Sequence, residues 1–182
     1  MTILHKKYLD KIKNIVFEST IIESSKIFFS ENVVKACEMN QCGLYGKRWT
    51  CPPAVGTISE IKCKCLKFKY ALVFTTKNEI EDSFDIEGMF TAKKNHDKIQ
   101  EEVFNKLNFR NCILLGAGGC NICKKCTYPD TPCRFPDKAI SAVEAYAINV
   151  LDLAEKCGIK YNNGINTVTY YSLILFGENN GI

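Results

Sequence analysis

Four cysteines, Cys120, Cys123, Cys126 and Cys133, sit within GAGGCNICKKCTYPDTPCRFP, the run from Gly116 to Pro136. This stretch is dense in glycine and proline and poor in apolar side chains, so it cannot hold a shape by burying a core. The sequence therefore predicts that cross-links or a bound ion fix it. Three of the thiols follow one another with two residues between them, and the fourth comes after a turn containing Pro129 and Pro132. Successive spacings of this kind wrap a backbone around a cube of iron and sulfide, as in the bacterial ferredoxin run, where a proline also follows the last cysteine. Here the last gap is longer, at six residues. Structural zinc more often uses two separated Cys-x2-Cys pairs or mixed Cys/His sets, and the only histidines are His5 and His96. An iron–sulfur (4Fe-4S) cluster is the leading expectation for this segment, and zinc is the alternative.

The rest of the chain argues against a disulfide framework. With 182 residues, 46% of them hydrophobic, it is long enough to bury a real core without covalent staples. The start, MTILHKKYLDKIKNIVFE, is broken by charges where a signal peptide needs an apolar run, and no stretch approaches the length of a membrane helix. The reading is a cytoplasmic protein without a membrane partner. In a reducing compartment eleven cysteines, an odd count, point to metal ligation or thiol catalysis. The formal charge of +4 is spread along the chain without a basic stripe, so no nucleic-acid partner is expected. Lys47, Arg48, Lys124, Lys125 and Arg134 lie close in sequence to clustered cysteines, where positive charge favours thiolates and offsets a negative cluster.

A second cysteine segment, CEMNQCGLYGKRWTCPP, carries Cys37, Cys42 and Cys51, with Gly43 and Gly46 permitting turns and Pro52 and Pro53 stiffening the end. Three thiols are one short of a full set. Either Cys63 or Cys65 completes it, or one iron is left open, or the trio completes a site with the other segment. Cys63, Cys65, Cys112 and Cys157 fall on regular elements, where a cysteine acts as a small hydrophobe. Trp49 reads as a core anchor or as a shield against water. Gly116, Gly118 and Gly119 resemble a fragment of a dinucleotide fingerprint, but the loop opens into cysteines rather than into a helix. Their expected role is close backbone approach, with N–H groups directed at cluster sulfurs, or a plain tight turn.

Periodicity supplies the frame. YALVFTT (Tyr70 to Thr76), CILLGA (Cys112 to Ala117) and TVTYYSLILF (Thr167 to Phe176) read as strands, with a further strand within Val16 to Phe29. Ser30 caps a helix from Glu31 to about Glu38, and Thr57 opens a capping box with Glu60. Residues Thr91 to Leu107 form a helix that completes a β-α-β unit, and His96 on it reads as a surface residue. Another capping box, Ser141 with Glu144, starts a helix that Gly158 ends. The fold class predicted is α/β, with α+β as its neighbour. It consists of a small mixed sheet of three to five strands, packed helices and two cysteine-rich metal-binding loops, all in one domain over residues 1–182.

Cys37, Cys42, LYGKRWTCPP, LLGAGGCNICKKC, PCRFPDKAISAVEAYAINVLDLAEKCGI and VTYYSLILF occur in an order that resembles the predicted metal-binding proteins of domain-of-unknown-function family 2284. The helix reads EAYAINV, with Ala147 and Asn149 where the family pattern has glycine and aspartate. The resemblance implies metal binding through Cys37, Cys42, Cys51, Cys120, Cys123, Cys126 and Cys133, and no defined reaction. The function expected is an iron–sulfur protein of anaerobic redox metabolism, with one cluster or two, that moves electrons to a redox partner protein or serves it as an accessory. An enzyme with an open-site cluster and a zinc-stapled interaction module are the alternatives.

Overall fold

Two long apolar runs dictate the centre of the molecule. In the computed structural model, which describes residues 2–178, they form β2 (Phe68–Glu79) and β5 (Thr167–Glu178), paired antiparallel along nearly their whole length. Leu72, Val73, Phe74, Leu173, Ile174 and Leu175 are all fully buried, as expected of strands covered on both faces. β1 (Glu18–Glu23) flanks β2, β3 (Cys112–Gly116) flanks β5, and β4 (Ser141–Ala142) closes the order β1-β2-β5-β3-β4. Every pairing is antiparallel except that of β3 with β4. The sheet is therefore mixed and five-stranded.

Among the described residues five α-helices accompany it: α1 (Ile3–Ile12), α2 (Glu31–Glu38), α3 (Ile58–Leu66), α4 (Ile86–Leu107) and α5 (Val150–Cys157). One sheet face, with Leu72, Phe74 and Ile174, packs on Ile12 of α1 and on Val103 and Leu107 of α4. The other, with Ala71, Val73 and Leu173, packs on Ile61 and Cys65 of α3 and on Leu153 and Ala154 of α5. The β2-α4-β3 unit runs as expected, with β5 inserted between its two parallel strands. Among the described residues no helix is long and apolar enough to cross a membrane.

Local signals succeed where tertiary contacts agree with them. Ser30 caps α2 through the Asn32 N–H, and Thr57 with Glu60 forms the reciprocal capping box of α3, its two bonds 2.7 and 3.3 Å long. The box expected at Ser141 does not form. Ser141 and Ala142 pair with Leu115 and Gly116 instead, Ala147 turns left-handed at φ 58°, and α5 starts only after Asn149, whose side chain caps Leu151 and Asp152. Gly158 ends that helix in the left-handed region, as the sequence suggests. The helix α1 was not anticipated from its charge-broken sequence, although His5 and Ile12 on it are buried.

The fold-class expectation needs one correction. Among the described residues no group of three or more Cys, His, Asp or Glu side chains is gathered so as to hold a metal ion, so the two cysteine-rich segments are not formed metal-binding loops.

Candidate functional site

The physical reason lies in what shapes the two segments. One joins α2 to α3 and the other joins β3 to β4, and they dock on each other. Trp49 Nε1 donates to the Thr131 carbonyl at 3.0 Å while its ring meets Tyr128 edge-on, centroids 4.9 Å apart. Arg48 Nη1 donates to Asn121 Oδ1 at 3.3 Å. Within the second segment the Thr127 hydroxyl donates to the Pro132 carbonyl, the Thr131 N–H to the Thr127 carbonyl, and Arg134 to the Lys125 carbonyl. In the first, the Gly46 N–H donates to the Pro52 carbonyl, and Gly43 and Gly46 take positive φ. Hydrogen bonds and a docked tryptophan thus contribute to the shape of the Gly116–Pro136 run, although its apolar side chains are few.

Cys120, Cys123, Cys126 and Cys133, all partly buried, line one pocket together with Arg48, Trp49, Arg134 and Phe135. They share its wall without converging on a point. Burial raises the Cys126 thiol, but backbone N–H groups of Tyr128, Trp49 and Thr127, aided by the Arg48 guanidinium, outweigh this and hold it below its ordinary pKa.

The trio of the first segment does not line this pocket, and of the three Cys51 is the one felt together with Cys120. Cys37 lies in the last turn of α2, Cys42 is exposed and Cys51 is buried. Burial raises Cys51, with the Thr50 hydroxyl opposing it and the neighbouring charges of Cys42 and Cys120 also felt. Burial raises Cys37 too, with Cys42, Glu144 and Cys51 near enough to add to the effect. The fold therefore brings the trio toward Cys120. Cys65 and Cys157 are pushed up to about 12 by burial and stay protonated inside the core, Cys112 is also raised by burial, and Cys63 lies exposed on α3 rather than packed.

The three glycines permit close approach. A Cβ on Gly116 would overlap the Gln100 carboxamide, one on Gly119 would overlap Leu44 and sit 3.8 Å from Cys51 Sγ, and Gly118 has φ 68° beside the Lys93 side chain. Gly119 is thus one further place where the two segments touch.

Sequence reasoning missed a buried polar chain. His96 is fully buried, contrary to its reading as a surface residue. Ser172 spends its single hydroxyl proton on Gln100 Oε1 at 2.6 Å, so His96 Nε2 must donate to Ser172 Oγ and Nδ1 must accept from Thr76, both at 2.8 Å. The signal was present in α4, where Ala92, His96, Val103 and Leu107 fall at helical spacing on one buried stripe.

The family described as predicted metal-binding protein (DUF2284) matches residues 20–176, a span that takes in both cysteine segments and leaves α1 outside. No curated protein and no solved structure matches the chain.

Proposed function

The chain belongs to the DUF2284 family of predicted metal-binding proteins, and on that premise we propose that it holds an iron–sulfur cluster on Cys120, Cys123, Cys126 and Cys133. One observation carries the reading: these four thiols line a single pocket with two guanidinium groups, Arg48 and Arg134. The donor set fits the group. Soft thiolates suit iron–sulfur clusters, and a cube takes its ligands around a volume rather than at a point. When bound, such a cluster supplies one-electron chemistry.

The chain's own residues do the remaining work. Arg48 and Arg134 offset the negative charge of the thiolates, Trp49 and Phe135 limit water, and the Gly116, Gly118 and Gly119 backbone lets N–H groups approach the sulfurs. Cys37, Cys42 and Cys51 stand beside this centre, through the approach of Cys51 to Cys120, and not as a loop site of their own. The task that follows is electron transfer with a protein partner, or an accessory role beside one.

A second reading, a single thiolate-bound zinc without redox chemistry, is favoured by the small free space among the four thiols, about 20 Å³, enough for one water-sized group. Metal and acid-labile sulfide content after oxygen-free purification separates the two. Iron with matching sulfide, lost in a Cys123→Ser, Cys126→Ser variant, is the expected result. Zinc without sulfide supports the second reading, and iron and sulfide undiminished in the double variant overturn the ligand assignment.

A further inference from the structure

Beside the thiol pocket lies a larger cleft of about 640 Å³, within the size range of small-molecule sites. It lies where α4, which packs mainly over β2 and β5, passes β3, and β4 beyond it is only two residues long. Lys93, Gln100 and Phe104 present one face of α4 to it, and alternate residues of β3, Cys112, Leu114 and Gly116, form the opposite wall. The cleft reaches the thiol pocket, since Cys120 and Ile122 line both.

We propose that this cleft binds a small organic molecule of no net charge that carries a carbonyl-type oxygen, an amide or a zwitterionic amino acid, with that oxygen accepting from the Gln100 carboxamide.

Gln100 carries the argument. Only 4% of it is exposed, yet it lines the cleft. Its oxygen is committed to Ser172, and Ser172 is fixed in turn by His96 and Thr76. The carboxamide is thereby locked with its Nε2 amino group unpartnered among the described residues and not among the unpaired atoms sealed in the interior. A donor in that position faces the cleft. A buried chain of four polar side chains is costly unless every member is satisfied, and its last donor requires an acceptor from outside. Gly116 belongs to the same device, because any side chain there would displace the carboxamide.

Charge selects the class. Three carboxylates, Asp97, Glu101 and Asp137, and two ammonium groups, Lys93 and Lys138, line the cleft, and Lys93 is already held by Asp97 at 2.6 Å. Phosphates and simple carboxylates meet net repulsion there, whereas a neutral amide or a zwitterion does not. Phe104, Leu114 and Ile140 give the wall an apolar part for the ligand's body.

The test does not depend on which metal the thiols hold. The protein as purified is titrated with N-acetyl-L-leucinamide, L-leucine and 4-methylpentanoate by ligand-detected NMR, up to about 10 mM, the weak end of small-ligand binding. The first two are expected to bind, with 4-methylpentanoate at least about tenfold weaker. Gln100→Leu is expected to cost at least about tenfold in affinity. Should Gln100→Leu fail to fold, Asn105→Trp, placed on the exposed rim of the cleft, closes it without touching the core and is expected to abolish binding. Failure of all three probes to bind overturns the proposal. So does equal binding of 4-methylpentanoate, or binding unchanged in both variants.

Discussion

Acidification should weaken this fold through one side chain, His96. Burial first, and the nearby Lys93 ammonium second, hold its pKa down to about 4 against an ordinary 6.5, with the Tyr171 backbone pulling weakly the other way. The unfolded chain takes up this proton near pH 6.5 and the folded chain only near 4. Between those values the unfolded state binds more protons, so stability is fully present above pH 6.5 and falls as the pH drops. The loss amounts to roughly 2 kcal/mol at pH 5 and about 3 kcal/mol at pH 4, a large share of a typical domain's 5–15 kcal/mol. No discount for solvent is needed, because His96 is fully buried between Phe74 and Tyr170. Urea unfolding of wild type and of His96→Gln, at steps from about pH 7.5 to 4.5, isolates the effect. Thiol protonation and metal loss are common to both proteins and cancel in the difference. The variant should be less stable at neutral pH, with the gap to wild type closing by roughly 2 kcal/mol at pH 5. A gap that stays constant between pH 7 and pH 5 refutes the reasoning.

Two further perturbations probe the contacts around the site. Gly116→Ala places a Cβ into the Gln100 carboxamide and should cost about 1–3 kcal/mol by overpacking, read from the urea midpoint; an unchanged midpoint means that Gln100 does not lie against β3. Trp49→Ala removes the bond to Thr131 and the ring contact with Tyr128, so tryptic cleavage after Lys124, Lys125 and Arg134 should accelerate several-fold while β2 and β5 keep their amide protection. Equal cleavage rates mean that the tryptophan does not dock the two segments.

The parts of the fold that were legible in the sequence are those where one local cause suffices. Strands buried on both faces have to be apolar throughout, and so β2 and β5 announced themselves, although each extends two or three residues past the apolar run at one or both ends. Thr57 and Ser141 open the same kind of motif, yet only the first caps a helix, because the backbone of Ser141 is claimed by the edge of β3. No local pattern contains that competition. The same limit applies to the thiols. Spacing placed Cys120, Cys123, Cys126 and Cys133 on one turn of chain, and they do line one pocket, but it could not say whether they converge, and among the described residues no ion-holding group forms. Nor could it bring Cys51 to Cys120, a neighbourhood set by strand order and by the absence of a side chain at Gly119. His96 was misread because the charged residues around it on α4 outweighed its own place on the buried stripe.

The strand β4 consists of two residues, and it is parallel to β3. Parallel neighbours are usually joined by a helix; here the connection is the cysteine loop itself. Closing a flexible loop of roughly two dozen residues costs about 3 kcal/mol of chain entropy. Against that stand two ladder pairs and the Val143 N–H on the Gly116 carbonyl. The loop and the strand must therefore lock and release together. On the proposed reading of the thiols, hydrogen exchange at the amides of Ser141 to Val143 should slow when the loop is loaded with metal, so this one edge of the sheet offers a readout of loading without a label or a substitution at any cysteine.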